Sequence, residues 1–327
     1  MIYSKIIGLG SYVPSQIVKN DELSKIVETS DEWITTRTGI KERRISSGEK
    51  TSQLAIRAAK ESIKDAVIDK EEIDLIVLAT ITPDFFTPST ASLVQSELGL
   101  TNIPSFDISA GCTGFIYGLQ IADQFIKSKE FKTVLVIGAE TLSKVTNWAD
   151  RNTCVLFGDG AGAAILQSSD KKGIISTYTG SQGDLQGHLT LPAVPLKNPF
   201  LEHQEDNGNH SHIFMNGKEI FKFATKIMIK SISHVLDKSN LSMEDIAYVV
   251  PHQANIRIID YVSQKLKVER KKFIINLDRF GNTSAASVPL AMDEAYKKNT
   301  FSPGDKIIMV AFGGGLTWGA VLVNWTI

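Results

Sequence analysis

Four stretches of the chain are apolar almost without interruption: "IDLIVLAT" from Ile73, "TVLVIGAE" from Thr133, "IAYVVP" from Ile246 and "KIIMVAFGGG" from Lys306. A strand with one wet face alternates apolar and polar positions. Runs that do not alternate therefore predict central strands covered on both faces. Between them lie stretches of helical period: "SQLAIRAAKESIKDAV" near Ser52, "CTGFIYGLQIADQFIKS" from Cys112, "IRIIDYVSQKL" from Ile256 and "SAASVPLAMDEAYKK" from Ser284. Strand and helix alternate, which predicts an α/β class.

The order of elements repeats after about 170 residues, the mark of an internal duplication. "EEIDLIVLATITP", "FDISAGCTGF" and "KTVLVIGAE" are matched in order by "MEDIAYVVPHQAN", "INLDRFGNTS" and "DKIIMVAFGGG". Two similar halves are implied: 1–172 would carry Cys112, and 173–327 would carry His252 and Asn282, with the seam around Ser168 to Gly173. Pseudo-twofold packing would bring the corresponding strand ends together, where α/β folds usually place their sites. From Gly180 to Asn216 the composition is that of a loop, expected to be a surface excursion over the site.

At 327 residues the chain can hold one large α/β domain or two smaller ones. A hydrophobic fraction of 43%, a charged fraction of 22% and a formal net charge of -1 argue against disorder. They also give no global attraction to nucleic acid or anionic membrane. Two cysteines do not make a disulfide framework, so a reducing, cytoplasmic setting is expected. No run approaches membrane-spanning length, and the apolar start breaks at Gly8 and Gly10, reading as a strand and turn.

Three polar residues sit where apolar strands run out. Cys112 in "FDISAGCTGF" is predicted at a helix N-terminus, where the dipole favours thiolate and its N–H can face an oxyanion. The ordinary fate of a free cysteine is structural burial, which is the reading for Cys154 in "RNTCVLFGDGAGAAIL". His252 follows Pro251, whose missing N–H ends strand pairing and presents the imidazole at the sheet edge. A lone histidine there is more often a satisfied structural group. Asn282 in "INLDRFGNTSAAS" would by default cap the following helix, yet Thr283 and Ser284 can cap it and free the amide. A thiol with two such donors can form an acyl thioester and stabilise an enolate beside it.

The glycine motifs are not nucleotide loops. "FGGGLTWG" at Gly313–Gly315 and "GDGAGAA" at Gly158 are both followed by strand-like sequence where a phosphate loop needs a helix. The first reads as a tight turn whose N–H groups approach a reacting carbonyl, the second as close packing. His203, His210 and His212 sit in the polar excursion among carboxylates and glycines, so no metal site is expected.

Taken together, "DEWITTRTGIKERR", "AGCTGF", "RNTCVLFGDGAGAA", "PHQANIRI", "RFGNTSAASVP" and "FGGGLTWG" resemble the β-ketoacyl-acyl carrier protein synthase III family from one end of the chain to the other. The resemblance implies a duplicated thiolase fold in five α-β-α-β-α layers. It also implies a decarboxylating Claisen condensation of an acyl-CoA with malonyl-acyl carrier protein, without a cofactor, in a homodimer. Carried over by motif, the triad falls on Cys112, His252 and Asn282, and the oxyanion hole on the N–H groups of Cys112 and Gly314. The CoA-adenine platform falls on Trp33 with Arg37 and Arg151 near it, and the channel on Thr38, Gly217 and Phe221. Lys222 and Arg257 give a basic face for the acidic carrier protein, while the run "KLKVERKK" from Lys265 reads equally well as a solvated helix face. Acetyl-selective members often have Phe where this chain has Thr87, at the floor of the acyl pocket; the smaller residue implies longer or branched primers.

The runner-up is a related condensing enzyme or acyltransferase of secondary metabolism. A hydroxymethylglutaryl-CoA synthase would need a carboxylate acid/base, and none sits in these motifs. A noncatalytic acyl-binding subunit would be expected to have lost the nucleophile.

Overall fold

The computed structural model describes residues 2–184, 186–194, 200 and 211–327. The first sheet contains β1 (Tyr3–Tyr12), β2 (Leu75–Ala79), β3 (Ser105–Ile108), β4 (Thr133–Glu140) and β5 (Gly160–Ser169), in spatial order β1-β5-β4-β2-β3. Strands β4, β2 and β3 are parallel, whereas β5 runs antiparallel to both its neighbours. The second sheet contains β6 (Ile174–Ser181), β7 (Tyr248–Pro251), β8 (Lys306–Gly313) and β9 (Thr317–Asn324). Its order, β6-β9-β8-β7, repeats the first four places of the first sheet. All residues of β2 and β4 are buried, as the unbroken apolar runs require.

The repeat is imperfect at one place. The counterpart of β3, predicted at "INLD", shrinks to a single parallel bridge between Val249 and Phe273 and one bond from Ile274 N–H to the Val249 carbonyl. The Gln253 side chain substitutes for the missing ladder: Nε2 donates to the Ile274 carbonyl (3.1 Å) and Oε1 accepts the Asn276 N–H (3.1 Å). The backbone groups are thus satisfied without a strand, and the chain is free to turn into the short helix Leu277–Phe280.

The helices of two turns or more are α1 (Asp31–Thr38), α2 (Thr51–Ala66), α3 (Thr90–Glu97), α4 (Gly114–Lys127), α5 (Gly217–Asp237), α6 (Ile256–Leu266) and α7 (Ser287–Lys297). Helices α2 and α3 cover the outer face of the first sheet. Helices α4 and α7 touch strands of both sheets, and α5 covers the second sheet with α6 against it. The result is five layers, α-β-α-β-α, with the thiol-bearing turn and the 282–287 turn entering the central layer from opposite halves. Small residues make that layer possible. A Cβ at Gly162 would lie 2.6 Å from the Pro289 ring, so the "GDGAGAA" strand packs directly on α7. Cys154 is fully buried in the core.

The excursion after Ser181 contains a ribbon in which Leu189–Thr190 pairs with Phe214–Met215. Leu189 reaches the glycine turn after β8, since a Cβ added at Gly314 would lie 3.4 Å from its side chain. His203 and His210 lie outside the described residues. Among the described residues no group of three or more His, Cys, Asp or Glu is placed to hold a metal ion, and no helix is long and apolar enough to cross a membrane.

Candidate active site

Cys112 stands in a one-turn 3-10 helix, Gly111–Thr113, between β3 and α4. Two glycines let the "FGGG" turn close on it. A Cβ at Gly313 would lie 2.5 Å from the Cys112 nitrogen, and one at Gly111, whose φ is +52°, would lie 2.9 Å from the Gly314 nitrogen. Thr317 ties the two segments together: its Oγ1 donates to the Ala110 carbonyl (2.9 Å) and sits 2.9 Å from Thr113 Oγ1. The main-chain N–H groups of Cys112 and Gly314 are therefore neighbours contributed by different halves.

His252 is 2% exposed and ends the second sheet's edge strand. The strand ends at Pro251, as the sequence expectation has it. Pro251 pairs with Val310, and the His252 N–H adds a further bond to the Val310 carbonyl (2.8 Å), which fixes the imidazole beside β8. The ring packs edge-on against Phe312, with centroids 5.3 Å apart, and Nδ1 meets Ser287 Oγ at 2.7 Å. The Gln253 N–H also points at that oxygen (3.4 Å). That second bond favours a hydroxyl proton directed to Nδ1, and with it the tautomer whose ring proton is on Nε2. Burial pushes the histidine down to about 3, so it is a neutral donor at neutral pH.

Asn282 is held between the halves. Its N–H bonds the Leu156 carbonyl (2.8 Å) and its carbonyl accepts the Gly158 N–H (3.0 Å). Gly281, at φ +64°, permits the approach; a Cβ there would lie 2.8 Å from the Leu156 oxygen. The expected capping by Thr283 and Ser284 side chains does not occur. Neither 3-10 turn 284–286 nor α7 has a side-chain cap. Instead Asn282 Oδ1 accepts the Ser284 N–H (2.9 Å), which orients Nδ2 as the outward donor.

The thiolate expectation also fails. Burial pushes the Cys112 thiol up to about 12, opposed by a hydrogen bond from Ser284, raised further by Glu140, and opposed again by the cysteine's own N–H. The residue keeps a partial opening, but the sulfur's surroundings are protein. A 3-10 turn before α4 does not offset that desolvation.

Glu140 was not singled out from the sequence, though its place at the end of an apolar strand is the same signal that marked the cysteine. It is fully buried. Its carboxylate accepts from Thr82 Oγ1 (2.5 Å), Thr80 Oγ1 (3.1 Å), the Ile81 N–H (3.2 Å) and Ser284 Oγ (3.2 Å). Burial raises it to about 7, with those four donors pulling it down. Ser287 and Gln253 are two further residues whose roles appear only in three dimensions.

A second group of the sequence-predicted residues gathers around Trp33. Trp33 lies in the first turn of α1, where Ser30 Oγ accepts its N–H (3.1 Å), and both Arg37 and Arg151 place guanidinium carbons 4.8 Å from its ring centroid. Asn255, which caps α6, donates from Nδ2 to the Arg37 carbonyl (3.1 Å). This brings the Trp33 cluster beside the N-terminus of α6, where Arg257 lies over the Phe221 ring (5.9 Å). Gly217 opens α5 with nothing within 4 Å of its would-be Cβ. Thr38 is buried and its hydroxyl serves its own helix end, donating to the Ile34 carbonyl (2.7 Å) and accepting the Ile40 N–H (3.0 Å). Lys222 is paired with Glu219 at 2.8 Å. In the "KLKVERKK" run Arg270, Lys271 and Lys272 are each engaged locally, with Asp260, Glu269 and the Ile246 carbonyl.

Thr87 is exposed on the loop before α3, beside Phe85 (50% exposed) and Phe86 (79% exposed). That loop leads into α3, whose first N–H groups, Thr90 and Ala91, are held by the Asp107 carboxylate on edge strand β3 (2.6 and 2.7 Å).

Residues 106–183 match the family profile described as 3-oxoacyl-[acyl-carrier-protein (ACP)] synthase III, and residues 236–325 match that of its C-terminal portion. A β-ketoacyl-[acyl-carrier-protein] synthase III of Clostridium novyi is 56% identical over 98% of both chains, and one of Clostridium acetobutylicum is 54% identical over 98% of both. The chain belongs to the β-ketoacyl-acyl carrier protein synthase III family. Members of this family are condensing acyltransferases. The crystal structure of a family member from Aquifex aeolicus shares 48% identity, with a TM-score of 0.91 over 98% of this chain and 100% of that one. A priming β-ketosynthase of the R1128 polyketide pathway, 34% identical with a TM-score of 0.92, covers 99% of this chain and 97% of its own. The five layers described above are the duplicated thiolase fold.

Proposed function

We propose that the chain condenses an acyl-CoA primer with malonyl-acyl carrier protein through an acyl-Cys112 intermediate, initiating fatty acid synthesis. What supports the reading is the close approach of the Gly313–Gly314 turn to the Cys112 turn, which makes two main-chain N–H groups neighbours, together with the hydrogen bonds that fix the His252 ring and the Asn282 amide; in this reading the halves divide at 172 and 173. The N–H groups of Cys112 and Gly314 stabilise the tetrahedral oxyanion of acyl transfer. The neutral His252 Nε2–H and Asn282 Nδ2–H then hold the malonyl thioester oxygen, so that loss of CO2 leaves a stabilised enolate that attacks the acyl-cysteine. Carbon–carbon bond formation is driven by decarboxylation and calls for no cofactor.

CoA adenine inserts at Trp33 against Arg37 or Arg151, with Thr38, Gly217 and Phe221 along the route inward and Lys222 and Arg257 meeting the acidic carrier protein. A homodimer built on the free edge of β3 and the exposed loop with Phe85 and Phe86 would bury those rings. Such a dimer would bring Thr87 to a partner's acyl pocket, where its small side chain admits longer or branched primers. A cytoplasmic location fits these substrates. The likeness to a polyketide priming β-ketosynthase favours one second reading, in which the same chemistry serves secondary metabolism.

Intact-mass detection after exposure to a panel of acyl-CoAs tests the proposal, followed by separate chases with malonyl-acyl carrier protein and malonyl-CoA. An adduct that requires Cys112 and is discharged as a β-ketoacyl product only by the carrier protein is expected. Discharge by malonyl-CoA supports the second reading, and no adduct with any primer removes the catalytic assignment. Better turnover with acetyl-CoA than with longer primers would remove the proposed role of Thr87.

A further inference from the structure

The N–H groups of Cys112 and Gly314 lie side by side on turns from different halves, and the main chain of neither turn holds the other. Among the described residues no main-chain hydrogen bond joins 110–113 to 313–317, and neither N–H is taken by a main-chain acceptor. The glycines at 111, 313 and 314 permit the approach but do not fix it, since glycine is the residue with the fewest limits on its dihedrals.

What joins the turns is a hydroxyl. Thr317, the first residue of β9, is 8% exposed, and its Oγ1 lies 2.9 Å from the Ala110 carbonyl oxygen and 3.0 Å from that of Gly314. Each carbonyl belongs to the peptide unit next to one that carries an N–H of the pair: 110–111 adjoins 111–112, and 314–315 adjoins 313–314. The hydroxyl has a single proton to share between these two acceptors, so its third neighbour, Thr113 Oγ1 at 2.9 Å, donates to it. Thr113 is fully buried at the N-cap of α4, where a threonine ordinarily accepts an N–H of the first turn, yet it makes no such bond. Its hydroxyl is turned to Thr317 instead. Two buried hydroxyls so engaged are more than packing asks for, because valine would fill either place with no polar group to satisfy.

We propose that Thr317 is the positioning residue of the oxyanion hole. Its hydroxyl, oriented by Thr113, clamps the Gly314 turn to the Cys112 turn, so that both N–H groups point at the oxygen that turns negative when the sulfur adds to an acyl carbonyl. This inference rests on the reading that Cys112 is acylated. The clamp is anchored where the parts it holds are not: Thr317 pairs with Gly313 on one side and Ser181 on the other, and its β-branch restricts χ1. Oxyanion donors act by being in place beforehand, and a displacement of about 1 Å can slow the reaction on the order of 10²-fold. Thr317 touches no reacting atom, so its influence falls on acyl transfer and leaves the reactivity of the thiol itself unchanged.

The test compares Thr317→Val, which keeps the shape and removes the hydroxyl, with Thr317→Ser, which keeps the hydroxyl. Acylation of Cys112 is followed by rapid quench and intact mass over a range of acyl-CoA concentrations. Alkylation of the same thiol by iodoacetamide, in which sulfur displaces iodide from a saturated carbon and no oxyanion forms, is measured beside it. In Thr317→Val the maximal acylation rate is expected to fall on the order of 10²-fold, with the half-saturating acyl-CoA concentration and the alkylation rate unchanged. Thr317→Ser should restore most of the acylation rate. Acylation at the wild-type rate in Thr317→Val overturns the proposal. Equal loss of acylation and alkylation, the mark of general damage to the site, also overturns it, as does a Thr317→Ser variant as slow as Thr317→Val. Should Thr317→Val not fold, Thr317→Ala, which leaves space in place of a methyl, is judged by the same outcomes. A wild-type enzyme that takes no adduct from any acyl-CoA refutes the condensing role; 4-nitrophenyl acetate then supplies the acyl group, and the clamp stands or falls on that reaction.

Discussion

The two halves place their strand-to-helix junctions at equivalent positions and then use them differently. In the first half the junction after β3 is a complete strand, a glycine and a cysteine in a 3-10 turn. In the second, the strand has dwindled to one bridge, a side-chain amide from Gln253 holds the backbone, and Asn282 occupies the turn. Cys112 is reached by glycines that allow another backbone to approach its N–H, whereas Asn282 has its Oδ1 tied down so that only Nδ2 is presented. Duplication thus supplies two sheet ends facing one another, and a few local changes leave a thiol at one and an oriented amide at the other.

The sharpest way to break this asymmetry is Cys112→Ala. It should abolish acyl-adduct formation outright, as read by intact mass. Asn282→Ala should leave acylation of Cys112 largely intact and slow the malonyl-dependent discharge by on the order of 10²–10³, measured by single-turnover chase; equal loss in both halves would contradict the division of labour. Gly138→Ala attacks the contact that seats the 284–286 turn on β4. An added methyl against backbone there should cost about 1–3 kcal/mol of stability by denaturant unfolding. Trp33→Ala should raise KM for acyl-CoA by roughly 2- to 30-fold with little change in kcat.

The smallest expected effect is none at all. With His252 near 3, the malonyl-dependent half-reaction should show no histidine titration between pH 5.5 and 8, and the 15N spectrum should report a neutral Nε2–H ring across that range. The same shift has a stability consequence. The unfolded chain binds a proton on this histidine below about 6.5 and the folded chain does not until about 3, so stability falls as pH drops through that window. His252→Ala should flatten that part of the acid limb of the stability–pH curve, once changes from the lost packing are allowed for at pH 7.

Much of this was legible in the chain. Unbroken apolar runs identify strands buried on both faces because no residue in them tolerates water, and a repeat in the order of such runs survives local divergence. Polar residues at strand ends marked Cys112, His252 and Asn282, since a polar group there must either be satisfied or be used. The errors share one cause. The thiolate at Cys112 and the capping by Thr283 and Ser284 were each judged from neighbours in sequence. The structure decided them by neighbours in space. Glu140 escaped notice for the same reason: its hydrogen-bond donors come from residues 80–82 and 284, far away along the chain.

By itself, then, the sequence determined the α/β class, the duplication, the family and the residues at the strand ends, because these follow from local hydrophobicity, period and motif. The tertiary structure alone decided which proton each of those residues holds. Protonation depends on desolvation and on partners brought together across the seam, and both are properties of the packed central layer that no segment possesses on its own.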